Sequence, residues 1–239
     1  MQEHIVSSFD RDLEGIQAQI MKMGGLVEQA ILNAALSLET RDDELGEKVR
    51  LGDKAIDALD EAIHEDAAQV IALRAPTAVD LRIVLSVMKM SADLERIGDL
   101  AKNMAKRNSV LMQLTQIDGA TAALRRMARE VELMLKDGLD AYIQRDAALA
   151  ADVIQRDRDV DQMYNATFRE FLTFMLEDPR NITSCMHLHF IAKNIERMGD
   201  HVTSIAEQVI FLVEGELPEE RVKGDNTSSD KSLSPQPGE

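Results

Sequence analysis

Seven residues of this chain occur twice. Residues 93–99 read DLERIGD and residues 194–200 read NIERMGD, with four positions identical and three conservatively changed. The likeness extends upstream, where Asp53 and Asp57 match Asp157 and Asp161 at an offset of 104, as Asp42 matches Asp146. The later motifs are offset by 101, so the second copy is three residues shorter between its acidic pairs. A chain that carries one pattern twice at this distance folds as two similar units.

Within each unit the apolar spacing is helical. Val49, Ile56, Leu59, Ile63, Val70 and Leu73 recur at steps of three, four or seven, which is one helix face. Aromatic residues are only 3% of the chain and Trp is absent, which disfavours a β-sandwich. Before residue 215 only Pro76 and Pro179 interrupt the pattern. Six long helices are expected, near 3–39, 42–73, 77–113, 118–144, 146–177 and 181–214. Asp42 and Asp146 are expected N-caps, and residues 77–80 resemble a capping box. Gly24 and Gly25 predict a kink or a break in the first helix. The expected fold is all-α, with two tandem pseudo-symmetric three-helix bundles over 1–115 and 116–214. Residues 215–239 are polar and rich in Ser, Gly and Pro, and are expected to form a disordered tail.

Charge narrows the partners. Lys and Arg total 27 against 43 Asp and Glu, a formal net charge of −16. There is no Lys/Arg run from which to build a phosphate-backbone contact, so no nucleic acid is expected as a partner. The surplus also disfavours adsorption to anionic lipid, so any membrane contact is expected through protein partners. The first residues lack the build of a signal peptide, and no apolar run approaches a bilayer span. A cytoplasmic location is expected. The single cysteine, Cys185, allows no internal disulfide.

Each unit holds two carboxylate pairs at i, i+4, and such pairs share a helix face. They are Asp53/Asp57 with Glu95/Asp99, and Asp157/Asp161 with Glu196/Asp200. In the first unit Asp57/Glu95 and Asp53/Asp99 both centre on residue 76. In the second, Asp161/Glu196 and Asp157/Asp200 both centre on 178.5. Those centres coincide with Pro76 and with Asp178-Pro179, the expected hairpin turns. Two antiparallel helices folded there bring four carboxylates to one level, twice. Four such groups repel unless a cation neutralises them. Hard oxygen ligands suit Mg, Mn, Ca or iron ions. Neutralisation by Arg96 and Arg197, inside the motif itself, is the alternative. Gly98 and Gly199 allow close approach of a neighbouring helix or of a metal.

Other residues carry less. Glu61 and His64 have the ExxH spacing of di-iron bundles, but the repeat-equivalent positions are Asn165 and Phe168. His64 shares a face with Asp53, Asp57 and Asp60, and His189 with Glu196 and Asp200, so each is an optional further ligand or an ordinary histidine. No nucleophile, base and orienting group can be read together, nor a Gly-rich phosphate loop.

The repeated [DN]-[LI]-E-R-[IM]-G-D, the upstream D-x-x-x-D pairs and the MGGLVEQA stretch at Met23–Ala30 resemble the PhoU family of phosphate-transport regulators. The similarity spans residues 1 to about 214. It implies paired three-helix bundles carrying multinuclear metal clusters, iron above all, with Mg, Mn or Zn as other occupants. By position, Asp53, Asp57, Glu95 and Asp99 would hold one cluster, and Asp157, Asp161, Glu196 and Asp200 the other. Asn194 departs from the motif, standing where the first copy has Asp93, at a position turned away from Glu196. The resemblance also implies negative regulation of phosphate uptake and of the phosphate regulon. The implied partners are the ATPase subunit of the phosphate ABC transporter, a phosphate-regulon sensor histidine kinase and a second copy of the chain in a homodimer. This reading is a non-enzymatic adaptor with no catalytic residues. The alternatives are a carboxylate-bridged metal enzyme (hydrolase or oxidase) and a metal store.

Overall fold

A computed structural model describes residues 2–76 and 79–218, with side chains from residue 11 onward. Six helices run in order: α1 Gln2–Thr40, α2 Asp43–Arg74, α3 Val79–Leu111, α4 Ala120–Gln144, α5 Ala147–Glu177 and α6 Ile182–Glu214. No strand occurs among the described residues, and each helix end lies within two residues of its expected place. Thr77 and Ala78 of the expected capping box lie outside the described residues, as does the expected disordered tail beyond residue 218.

The two expected N-caps form. Asp42 Oδ1 accepts from the Leu45 amide at 3.0 Å, and Asp146 Oδ1 from the Ala148 and Leu149 amides at 2.9 and 3.0 Å. Each cap is worth about 1 kcal/mol. Before each cap stands an arginine in the left-handed region, Arg41 at φ 53° and Arg145 at φ 55°. This pairing of a left-handed residue with an extended cap reverses the chain in two residues, so α1 lies against α2 and α4 against α5. The α2–α3 and α5–α6 reversals fall at Ala75-Pro76 and at Asp178 with a 3-10 turn, Pro179–Asn181.

Helix α1 is unbroken through Gly24 and Gly25, so of the expected kink or break the break does not occur. The reason for Gly24 is packing. A Cβ there would lie 2.3 Å from Leu139 Cδ1, so the glycine lets α1 close on α4. A helix-interior glycine costs roughly 1 kcal/mol in propensity, which close packing on both sides offsets. Gly25 faces open space.

Helices α1, α2 and α3 pack on one another, as do α4, α5 and α6; the two triplets join along α3·α6 and α1·α4. One continuous apolar core runs through both, with Ile20, Ile63 and Leu94 in the first triplet and Val131, Phe171 and Ile195 in the second. Burying each such side chain contributes about 1.5–3 kcal/mol. The seam along α3·α6 carries polar contacts, Arg107 with His187 near one end and a cluster around Asp93. Asp93 Oδ1 lies 2.9 Å from His201 Nδ1, and Ser204 Oγ donates to Asp93 Oδ2 at 2.6 Å. Among the described residues no helix is long and apolar enough to cross a membrane.

Candidate metal centres

The α2–α3 hairpin carries Asp53 and Asp57 on one arm and Glu95 and Asp99 on the other. Asp53 is buried, and the other three are partly so. Their mutual field is visible in two of them. Asp57 titrates above its ordinary value because burial disfavours its charge; Asp53, Asp99 and Glu61 add to the rise, against Lys102. Glu95 is raised chiefly by burial, with Asp99, Asp60 and Asp57 adding and Arg96 opposing. The four carboxylates therefore sense one another across the hairpin.

Gly98 sets the distance between the arms. A Cβ there would lie 3.0 Å from Ile56 Cδ1 and 3.6 Å from Asp53 Oδ1. The repeat places Gly199 in the same role, its Cβ position only 2.8 Å from Asp157 Oδ1. In the second hairpin Asp157 and Glu196 are buried, and Asp161 and Asp200 are partly so.

Besides Arg96 from the motif, two lysines outside it supply positive charge. Lys102 Nζ donates to Asp53 Oδ2 and, at 2.7 Å, to Asp99 Oδ1, so it ties α2 to α3. Lys193 Nζ lies 2.7 and 2.6 Å from the two oxygens of Glu196 and 5.3 Å from the Tyr164 ring centroid. Arg96 is mostly exposed, 3.5 Å from Glu95 Oε2 and 3.7 Å from Asp99 Oδ2, and Arg197 is exposed. The signal for both lysines is spacing: each stands three residues from its carboxylate, on the same helix face.

The histidines turn elsewhere. His64 Nδ1 is 2.9 Å from the Asp60 carbonyl and 3.3 Å from Asp60 Oδ1, while Ser91 Oγ donates to that carboxylate at 2.6 Å. His189 lies between the Phe168 and Tyr164 rings, at 5.1 and 5.8 Å, with its Nδ1 buried and lacking a hydrogen bond. Burial, and then Lys193, push its imidazole below the ordinary value. Sequence reading also missed the Asp93, His201 and Ser204 grouping. Ser204 donates to the carboxylate and not to the imidazole, which is not the order of a Ser-His-Asp relay.

The donor set fits a hard cation. Asp53 Oδ1 is buried with no hydrogen-bond partner, and burial together with the neighbouring carboxylates raises Asp57 and Glu95, so added positive charge would favour their ionised forms. As the side chains stand, no three His, Cys, Asp or Glu residues among those described converge on one ion position.

The family model described as "PhoU domain" matches this chain twice, over residues 20–107 and 124–209. The phosphate-specific transport system accessory protein PhoU homolog of Caulobacter vibrioides strain NA1000 is 43% identical over 226 residues, covering 94% of this chain and 98% of its own. The homolog of Xylella fastidiosa strain 9a5c is 44% identical over 229 residues, 95% of each chain. The crystal structure of PhoU from Pseudomonas aeruginosa superposes with a TM-score of 0.84 at 37% identity, over 87% of this chain and all of that one. The phosphate transport system regulatory protein PhoU from Streptococcus pneumoniae gives 0.81 at 31% identity, over 89% of this chain and all of that one. With both halves matched and relatives covered end to end, the chain belongs to the PhoU family.

Proposed function

We propose that this chain is a cytoplasmic, non-enzymatic accessory protein of a phosphate transport system, restraining uptake and the phosphate regulon. The observation that carries the reading is the end-to-end match to relatives named as phosphate-specific transport system accessory proteins. In this role the units over 1–115 and 116–214 present helix faces to two partners, the transporter's ATPase subunit and a sensor histidine kinase. The two carboxylate groups hold metal clusters, iron first among the candidates, through Asp53, Asp57, Glu95 and Asp99 and through Asp157, Asp161, Glu196 and Asp200. A bound ion there supplies fixed positive charge that ties the arms of each hairpin. The chain's own carboxylates orient it, and Gly98 and Gly199 leave room for them.

Self-association is part of the proposal, and its surface is the second hairpin. Phe168, Leu172 and Leu176 on α5 face Phe190, Met186 and Ile182 on α6, each pair centred on residue 179, and all six are exposed. The stripe offers roughly 500 Å² of apolar surface, the bulk of the about 800 Å² each partner buries in an interface of standard size. Arg169 and Arg180 rim it beside Glu170 and Glu177. On a chain of net charge −16, this mixed rim lets two copies meet without like-charge repulsion.

The test is to delete the gene in its host and follow phosphate uptake and a phosphate-regulon reporter under high phosphate. Uptake and reporter should both rise, and the purified chain should bind the ATPase subunit and the kinase. Unchanged uptake and reporter together would sink the regulatory reading.

A further inference from the structure

Each carboxylate group already contains a positive charge, and the two charges are held differently. Lys102 stands three residues after Asp99 at the end of its motif, whereas Lys193 stands three residues before Glu196. Their repeat-equivalent positions are Thr203 and Ala92, so neither lysine has a counterpart in the other unit. The consequences differ as well. Lys193 holds Glu196, three residues along its own helix, and rests against Tyr164. Lys102 joins one carboxylate from each arm of its hairpin, Asp53 from α2 and Asp99 from α3.

A metal ion that joined the arms through Asp53 and Asp99 would meet this ammonium: Asp53 Oδ1 lacks a hydrogen-bond partner, but Asp53 Oδ2 and Asp99 Oδ1 already accept from Lys102, and two cations this close repel. Arg96 also reaches the group, 3.5 Å from Glu95 Oε2 and 3.7 Å from Asp99 Oδ2, but its side chain is 64% exposed, so water screens it. We propose that Lys102 is the resident counter-cation of the first carboxylate group, which an incoming metal ion must expel, and that it thereby sets the metal affinity of that group. The inference rests on reading the group as a metal centre. Lys102 keeps its proton throughout: its two hydrogen bonds pass to water, and the freed oxygens pass to the ion. Its side chain is 23% exposed, so the ammonium reaches solvent without crossing the core. With the metal absent, Lys102 holds the arms together; with the metal bound, the ion does so and a lysine charge is released at the hairpin surface.

The experiment is a titration with Mn²⁺ followed by electron paramagnetic resonance, in a Glu196→Gln/Asp200→Asn background that leaves the first group intact. Lys102→Met removes the charge at similar length, and Lys102→Arg keeps it. Lys102→Met should bind Mn²⁺ about tenfold more tightly than the parent, while Lys102→Arg stays near it. In the unaltered protein, acylation of Lys102 read by mass spectrometry should rise when Mn²⁺ is added, a readout that does not depend on any variant folding. Equal affinity in parent and Lys102→Met, or a Lys102 that stays protected in the Mn²⁺-loaded protein, overturns the displacement and leaves the metal centre standing. Weaker binding in Lys102→Met also overturns it, since the ammonium would then be positioning the ligands. Folded protein that takes up no Mn²⁺ in any form overturns the metal reading, and the inference with it.

Discussion

At the residue scale the repeated glycine does as much as the acids around it. Gly199 sits where a Cβ would press to 2.8 Å on Asp157 Oδ1, a buried carboxylate. Alanine at this helical position gains roughly 1 kcal/mol of propensity but forces the carboxylate aside, and overpacking of this kind costs about 1–3 kcal/mol. Gly199→Ala should therefore lower stability by about 1 kcal/mol in chemical denaturation. Metal bound in the second group should fall, with the first group unaffected. A variant more stable than the parent, with its metal content intact, would show that the close approach is not needed. The sequence made this glycine visible because the motif carries it twice. It did not make Lys102 visible as a bridge, because the reach of a long side chain to the opposite arm depends on packing that spacing alone does not encode. His64 illustrates the converse: its face was read from the period, but the imidazole turns back to Asp60 on its own helix.

At the element scale the second hairpin is unlike the first. Positions equivalent to the apolar stripe are His64, Ala68 and Ala72 on α2 and Leu81, Leu85 and Lys89 on α3, so large apolar side chains are fewer there. Leu176→Glu with Phe190→Glu places charge in the stripe at exposed positions, where the fold itself loses little. Sedimentation velocity should show the parent as a dimer and this double variant as a monomer with unchanged helicity. Leu85→Glu on the first hairpin should stay dimeric. A double variant that still sediments as a dimer moves the interface elsewhere. Helices, caps and turns were legible because period, Asp caps and prolines agree on them. The continuity of α1 was not, since the glycine pair signals weakness locally and only the presence of Leu139 on α4 explains Gly24.

At the scale of the whole molecule, two joined bundles hold like charges in a partly buried place, which makes stability depend on pH and, on the proposed metal reading, on metal as well. The seam that joins them was not legible, because an apolar period marks a buried face without naming the face it meets. The level shared by Asp53 and Asp99 was legible, since antiparallel arms fix it by arithmetic and both carboxylates meet Lys102. Asp57 and Glu95 have ordinary values of 3.8 and 4.5, both raised in the folded protein, so the fold binds their protons more tightly than the unfolded chain does. Their contribution to stability is whole below those ordinary values and is lost as pH rises through the raised ones. On the proposed reading a metal ion would reverse this, because it would take the ionised groups as ligands. The gain in Tm on adding Mn²⁺ should accordingly be larger at pH 7.5 than at pH 5. Calorimetric titration in buffers of different ionisation enthalpy should detect proton release on binding. Asp53, Asp57, Glu95 and Asp99 changed together to Ala should abolish about half of that gain and roughly halve the metal found by elemental mass spectrometry. A Tm gain that is the same at both pH values and survives the fourfold change would place the ion away from these carboxylates. The hairpin would then be held by Lys102, and its carboxylates would be no part of a metal centre.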